Sequence, residues 1–230
     1  MTEAEMLSFW ETASRRSPLD RGVLAVAAAG VPAAQAADLP LGEQNRVLAQ
    51  LYCAHFGGTL DGFTECAACA EKLEFHFDVR QVAESPAPAA REWVAVGRWK
   101  FELPSSRAVA MAVSAGEPAQ AGQRLLALCL REPLESEPGW SDEDMEAIEA
   151  RLAEADALAE IRIGFACPQC GHGFEEALDL ESFLWSEIVE SARQLLDDIH
   201  LLASAYGWTE PEVLAMSPLR RSAYVRRILG

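Results

Sequence analysis

The sequence predicts an α+β fold that is mainly helical. Long stretches near both ends of the chain repeat apolar residues every three or four positions, which is the period of an amphipathic helix. Two shorter stretches carry a Cys-x-x-Cys pair between residues that favour strands. Half of the 230 residues are hydrophobic, which is enough to build a sizeable core. We therefore expect short strands among helices, with a long helix and a helical tail at the C-terminal end.

Residues 1–57 are expected to form an N-terminal helical region. Three segments in it have apolar residues at helical spacing: AEMLSFWETASR, LDRGVLAVAAAG and LGEQNRVLAQLYCAHF. The third segment ends at Gly57-Gly58, and glycine is typical just after the last turn of a helix. Cys53, inside the third segment, has no neighbouring cysteine. We interpret it as a core residue, like Cys129 in LLALCLRE.

Two Cys-x-x-Cys segments in distant parts of the chain are related in sequence. FTECAACAEKLEFHFDV holds Cys66 and Cys69, and FACPQCGHGFEEALDL holds Cys167 and Cys170. The two segments align without a gap. After each cysteine pair come three residues, an apolar residue, three more residues, and then an Asp between two apolar residues. The repeat indicates two half-sites related by a pseudo-twofold axis.

These half-sites predict a zinc ribbon split between residues 58–83 and 159–180. Four thiolates bind one zinc ion in a closed tetrahedron, which leaves no coordination position for water or substrate. We therefore expect one structural Zn²⁺, with Cys66, Cys69, Cys167 and Cys170 as its ligands. A redox pair would instead be typical of a strand-to-helix junction, whereas both pairs here stand between extended segments. His172 is not expected to be a ligand, because Glu71 takes its place in the first copy.

Residues 84–158 are interpreted as an α/β insertion between the two half-sites. Its expected parts, in order, are a linker at ESPAPAA, one or two strands in EWVAVGRWKFELPSS, a helix from Ser105 to about Ser114, a helix through GQRLLALCLRE, a break at SEPGW and a helix in SDEDMEAIEARLAEADAL. Ser141 and Asp144 have the spacing of a capping box at the start of the last helix.

Residues 181–230 are expected to form the longest helix and a helical tail. The apolar stripe of the long helix is predicted to consist of Leu184, Ile188, Ser191, Leu195, Ile199, Leu202 and Tyr206. Gly207 should end the helix. Thr209 with Glu212 has capping-box spacing, and Ser217-Pro218 is typical of the start of another helix.

The net charge of −17 disfavours non-specific binding to nucleic acid or to anionic membranes, since both are polyanions. No apolar run approaches the roughly 20 residues of a membrane span, and the N-terminus does not resemble a signal peptide. We therefore expect a cytoplasmic location. The segment LRRSAYVRRILG contains four arginines and no acid. These arginines either dock an acidic partner surface or complement a helix C-terminus.

The segment IHLLASAYGWTEPEVLAMSPLRRSAYVRRI, residues 199–228, has the most specific pattern in the chain. It resembles the C-terminal signature of the baseplate hub assembly chaperones of T-even-type contractile phages, whose relatives occur in clusters for phage-tail-like injection systems. LPLGEQNRVLAQLYCAHFG, WKFELPSSRAVA and CPQCGHGFEEALDLESFLWSEI look like the zinc-bearing bacterial members of that family. The resemblance covers about 41 to 228 and is weakest before residue 41.

The resemblance implies a non-enzymatic protein that helps a baseplate or hub component to fold and assemble. Because not all members of the family carry cysteines, the zinc prediction depends on the cysteines of this chain. Interfaces favour Trp, Tyr, Met and Arg. The expected partner contacts are Trp208, Met216, Leu219, Arg220, Arg221 and Tyr224, with the alternative that the aromatic residues and Met216 only pack the tail onto the long helix.

Two other functions stay open at the level of sequence. A zinc-ribbon protein with a helix-turn-helix-like tail could be a transcriptional regulator, although the acidic composition opposes binding to phosphate. A permanent baseplate subunit would differ from a chaperone only by remaining in the finished particle. No phosphate-binding loop, H-E-x-x-H or G-x-S-x-G motif is present, so neither an enzyme nor a small-molecule substrate is expected.

Overall fold

The computed structural model describes residues 1–86, 93–132 and 139–230. Its helices are α1 (Glu3–Ala13), α2 (Pro18–Ala28), α3 (Ala33–Ala36), α4 (Leu41–Phe56), α5 (Arg80–Ala83), α6 (Ser106–Ser114), α7 (Ala121–Cys129), α8 (Asp142–Ala155), α9 (Leu180–Tyr206), α10 (Glu210–Leu214) and α11 (Pro218–Leu229). Its strands are β1 (Thr59–Glu65), β2 (Lys72–Asp78), β3 (Val94–Val96), β4 (Trp99–Phe101), β5 (Arg162–Ala166) and β6 (Gly173–Ala177). The predicted class, α+β and mainly helical, is confirmed.

The described residues form two compact units. One unit consists of Met1–Ser17 and Ser182–Gly230, and the other is Pro18–Glu181. Helix α1 therefore belongs with the C-terminal helices, an association across the whole chain that the sequence patterns did not indicate. No described helix combines the length and the apolar composition that crossing a membrane requires.

The unit that holds both chain ends is built on α9. Its core contains Leu7, Ala192, Leu195, Ile199, Leu202 and Val213, all buried. The predicted stripe of α9 is confirmed for its leucines and isoleucines, but Ala192 is buried in place of Ser191, which is only half-buried. Tyr206 is 42% exposed, so its assignment to the stripe is wrong. It stands in the last turn and stacks on Trp208 instead, with ring centroids 4.6 Å apart.

The tail follows the predicted start and stop residues. Helix α9 ends at Gly207, whose φ of 69° lies in the left-handed region that glycine adopts without strain. Thr209 and Glu212 form the predicted capping box. The Ser217 hydroxyl accepts a hydrogen bond from the backbone N–H of Arg220 and so caps α11.

The second unit begins with α2, α3 and α4. Helix α4 ends at Gly57, as predicted, and buries one side along its length, including Leu48 and Tyr52. The N-terminus of α4 is fixed by Asp156, whose carboxylate accepts a hydrogen bond of 3.0 Å from the backbone N–H of Gly42. Because the first N–H groups of a helix have no partner inside it, this bond satisfies one of them.

Each of the three sheets is a two-stranded antiparallel hairpin: β1 with β2, β3 with β4, and β5 with β6. The first and third hairpins carry the cysteine pairs at their turns. In the aligned positions of the two copies, Thr64 faces Leu73 and Phe165 faces Phe174. The two cysteine segments therefore share a register as well as a sequence pattern.

The insertion has its own core, made of Val94, Phe101, Leu126, Cys129, Trp140, Ile148 and Leu152. The predicted capping box of Ser141 and Asp144 starts α8. Helix α7 stops at Cys129, earlier than predicted, because Leu130 is extended and pairs with Phe101. Residues 87–90 of the predicted linker and residues 136–138 of the predicted break lie outside the described part of the chain.

Candidate metal centre

The two cysteine pairs sit in hairpin turns of identical construction. In the first turn, the N–H of Cys66 donates to the carbonyl of Glu71 at 2.9 Å, and the N–H of Ala70 donates to the carbonyl of Cys66 at 2.8 Å. In the second turn, both equivalent bonds measure 2.9 Å: from Cys167 N–H to the carbonyl of His172, and from Gly171 N–H to the carbonyl of Cys167. The shared sequence pattern thus produces a shared backbone conformation.

The turns require one residue in the left-handed region. Gly171 has a φ of 72°, and Ala70, at the equivalent position of the other copy, has a φ of 59°. Ala70 is the one non-glycine residue with positive φ in the described chain. An L-residue pays about 1–2 kcal/mol for this conformation. The closed turn in the first copy is therefore maintained against local backbone strain.

The four sulfurs form one cluster. Cys66 Sγ lies 3.7 Å from Cys170 Sγ, and Cys69 Sγ lies 3.6 Å from Cys167 Sγ. All four sulfurs lie within 4.8 Å of one another. In a disulfide the two sulfurs would be about 2.05 Å apart, whereas tetrahedral zinc with bonds of about 2.3 Å places its sulfurs about 3.8 Å apart. The spacing therefore fits four ligands around one ion.

Each pair contributes one buried and one exposed cysteine. Cys66 and Cys167 are each 2% exposed, whereas Cys69 and Cys170 are exposed. The buried cysteines are the first of each pair and follow directly from β1 and β5. One side of the sulfur cluster is thus covered by protein, and the other side is accessible to an ion or a chelator.

The pKa values of the thiols differ strongly within the cluster. Burial raises the pKa of Cys167, but hydrogen bonds from the backbone N–H groups of Cys170 and Gln169, together with those to the sulfurs of Cys69 and Cys170, outweigh it and lower the value to about 7. The backbone N–H of Glu71 lowers the pKa of Cys69, but its hydrogen bonds with neighbouring sulfurs, Cys170 first, raise it to about 12. Without a cation, the pKa of one thiol is therefore low while that of its neighbour is high. A divalent cation would stabilise all four thiolates together.

Aromatic side chains join the two hairpins next to the sulfurs. Phe75 of β2 meets Phe165 of β5 edge to face, with centroids 5.3 Å apart, and Phe165 stacks on Phe174 of β6 at 5.3 Å. His172 stacks on Phe174 at 6.0 Å and is not part of the sulfur cluster. These contacts were not among the features predicted from the sequence. The two phenylalanines that flank the second cysteine pair, Phe165 and Phe174, were the sequence signal for the contact within that hairpin.

The remaining two cysteines are separate from the cluster. Cys129 is buried in the core of the insertion, and its burial raises the pKa of its thiol to about 11. Its prediction as a core residue is confirmed. Cys53 is only partly buried on α4, and burial also raises the pKa of its thiol. A protonated thiol is a poor metal ligand and a poor nucleophile, so neither residue adds chemistry to the site.

The predicted partner residues separate into three groups by exposure. Leu219 is 78% exposed and Arg220 is exposed, so both are accessible on α11. Trp208, Met216 and Tyr224 are half-buried. Trp208 and Tyr224 pack against the core of their unit, in agreement with the alternative interpretation of the aromatic residues. They meet each other at right angles, with ring centroids 4.9 Å apart.

Arg221, a predicted partner contact, is buried within its unit and is not on the accessible surface. Its side chain is 7% exposed and donates to both carboxylate oxygens of Glu3, at 2.6 Å each, and to Asp198 at 3.1 Å. These ion pairs connect α1, α9 and α11 within one unit. Glu3 and Asp198 could not be selected from the sequence, because acids on amphipathic helices are common and no local pattern distinguishes these two.

No protein-family model, curated protein or solved structure matches this chain. The chemistry of the site therefore has to be inferred from its own residues. Four thiols at tetrahedral spacing, in two turns that aim backbone N–H groups at the sulfurs, form a site that can hold one metal ion.

Proposed function

We propose that the chain is a non-enzymatic assembly chaperone, held in shape by one structural zinc ion, for the baseplate or hub of a contractile phage tail or tail-like injection system. The observation that carries the structural part is the cluster of four sulfurs within 4.8 Å. A site of four thiolates prefers zinc over harder cations such as magnesium or calcium, which bind oxygen.

The zinc would be structural because its ligands occupy every tetrahedral position. The ion would lock two hairpins whose cysteines Cys69 and Cys167 are 98 positions apart (167 − 69). Between them, the described residues of the insertion have a core of their own. Zinc would therefore close the base of the insertion and limit the ways in which its two ends can separate.

The metal assignment is tested by purifying the protein without oxygen and measuring its metals by mass spectrometry. We expect about one zinc per chain, and thiols that react with a disulfide reagent only after a chelator is added. Less than about half an equivalent of zinc, or freely reactive thiols in the native protein, would overturn the assignment.

The assembly role is supported by the resemblance of residues 199–228 and by an accessible C-terminal helix with an exposed Leu219. The rival role of transcriptional regulator would use Arg220 and Arg221 to contact phosphate, and Arg221 is buried in ion pairs and is not available.

The role is tested by capturing a tagged full-length chain from cells that carry its native locus. We expect one baseplate or hub protein to co-purify with it during assembly, and we expect the chain to be absent from finished particles. If finished particles contain the chain at fixed stoichiometry, it is a permanent subunit. If no tail protein is enriched over a tag-only control, the proposed role is wrong.

A further inference from the structure

Helix α11 has an inner face and an outer face. Tyr224, Val225 and Ile228 pack against the core of the unit, and Arg221 is buried beside them. The opposite side, which we call the α11 outer face, consists of Leu219, Arg220, Ala223, Arg226, Arg227 and Leu229. Leu219 is 78% exposed and Leu229 is 69% exposed, while the three arginines are exposed.

The leucines of this face are unusual for a solvated helix. Among the large hydrophobic side chains of the described residues, Leu219 has the highest exposure. The two leucines are separated by ten residues, which corresponds to about 15 Å along a helix. Covering both leucines with a partner would remove their apolar surface from water.

The arginines of this face have no acidic partner within reach. No carboxylate in the described part of the chain lies within ion-pair distance of Arg220, Arg226 or Arg227, in contrast to Arg221, which holds two. Helix α11 contains no acidic residue. Three guanidinium groups without a carboxylate partner on one helix contrast with the net charge of −17 of the whole chain.

The helix dipole does not account for all of these charges. Arg226 and Arg227 stand in the last turn, where cations are favoured, but Arg220 stands in the first turn, where a cation is disfavoured. The guanidinium groups of Arg220 and Arg227 lie 5.8 Å and 5.9 Å from the ring centroid of Tyr224. Tyr224 therefore lies close to the guanidinium groups of two of the three arginines.

We propose that the α11 outer face binds an acidic amphipathic helix of a partner protein. Leu219 and Leu229 would cover apolar side chains of that helix, and the arginines would pair with its carboxylates. This inference rests on the proposed function in one respect, since both use the C-terminal part of the chain to bind a partner. It adds the chemistry of the partner, and it places the contact surface on the α11 outer face, which does not include the buried Arg221.

The test uses the full-length, metal-loaded chain and two fluorescent synthetic peptides. The first peptide is an amphipathic helix with leucines on one side and glutamates on the other, and the second has glutamine in place of every glutamate. We expect the glutamate peptide to bind at least about tenfold more tightly than the glutamine peptide at low salt. The preference should shrink at high salt, where exposed charges are screened.

Three variants locate the binding surface. R220E/R226E/R227E and L219S/L229S should each weaken binding of the glutamate peptide by at least about tenfold. The matched control R15E/R16E/R193E reverses three exposed arginines of the same unit outside α11, and it should bind within about twofold of the unchanged chain. Thermal melting and zinc content verify that every variant is folded.

Each outcome decides the inference. Equal binding of the two peptides, or equal loss in the α11 variants and the control, overturns it. A DNA duplex that binds through the same arginines while the glutamate peptide does not would make the surface a nucleic-acid site. If a tail protein is captured equally by the α11 variants, this inference fails while the proposed function stands. If the peptide result holds and no tail protein is captured, the proposed function fails alone.

Discussion

Arg221 and Glu3, 218 positions apart in the chain, form a bidentate ion pair in which two guanidinium nitrogens each lie 2.6 Å from a carboxylate oxygen. Asp198 accepts a further hydrogen bond from the same guanidinium group. The pair with Glu3 raises the pKa of Arg221 above its usual value, so the group is charged at any physiological pH. The N-terminal helix is thereby attached to the C-terminal helices by charge as well as by apolar packing.

Replacing Arg221 with Met should destabilise this unit by about 3 kcal/mol, because two partly buried carboxylates would lose their cation. Arg220→Met, one residue earlier and exposed, is the matched control and should change the free energy of unfolding by less than about 0.5 kcal/mol. Urea unfolding followed by circular dichroism measures both. Similar losses in the two variants would show that the ion pairs add little.

The left-handed residue of each cysteine turn gives a second, paired prediction. Ala70→Gly should stabilise the chain by about 0.5–1 kcal/mol, because glycine adopts a positive φ without strain. Gly171→Ala should destabilise it by a similar amount, and strain is the sole cause, since a Cβ at Gly171 would meet no atom within 4 Å. Melting temperatures at one fixed zinc concentration compare the two. Shifts of the same sign would contradict this account of the turns.

The identity of the metal ligands is tested by cysteine substitution. Cys167→Ser should reduce bound zinc to well below half of the wild-type content and lower the melting temperature, because the thiolate of a closed site cannot be replaced by a hydroxyl. Cys53→Ala should leave the metal content unchanged, as should His172→Ala, since neither side chain belongs to the sulfur cluster. Equal zinc loss in Cys167→Ser and Cys53→Ala would mean that the ligands are wrongly assigned.

Asp156 predicts a pH dependence of stability. Burial raises the pKa of this carboxyl above its usual value, although the N–H of Gly42 partly offsets the effect. The folded state therefore holds the proton more tightly than the unfolded state. Ionisation of Asp156 in the folded protein therefore lowers the free energy of unfolding. The loss begins as pH rises above the pKa of about 3.9 in the unfolded state, and it is complete above the pKa in the folded state.

Asp156→Asn should remove this pH-dependent cost and keep an oxygen acceptor for the N–H of Gly42. The variant should therefore gain stability relative to the unchanged chain as pH rises from about 4 to 7. Urea titrations at several pH values, with equal metal content, measure the difference. Asp197→Asn, at an exposed position of α9, is the matched control for the removal of one carboxylate. Parallel curves for Asp156→Asn would contradict the prediction.

The cluster of four cysteines could be predicted from the sequence, because a tetrahedral thiolate site requires one residue type at a fixed spacing. A pair of cysteines such as Cys66 and Cys69 is rare, and a second pair with matching neighbours is rarer still. Helix ends were predictable for a similar reason, since Gly207, Ser141 and Thr209 act on their own backbone within a few residues.

The features that sequence did not predict depend on distant partners. The end of α7 at Cys129 depends on the pairing of Leu130 with Phe101, and neither residue has an unusual local pattern. The burial of Arg221 depends on Glu3, at the other end of the chain. An exposed and a buried arginine look alike in sequence, so Arg220 and Arg221 could be distinguished only in three dimensions.

The long separation of the two cysteine turns also has a consequence during translation. Ribosomes add about 5–20 residues per second. Cys167 follows Cys69 by 98 positions, so it is added to the chain about 5–20 s later. During that interval the nascent polypeptide contains the first cysteine pair without the second, so the cluster of four cysteines cannot form. Newly made protein should therefore be far more vulnerable to oxidants and thiol-alkylating agents than the mature form, and brief oxidative stress should damage the fraction still being synthesised.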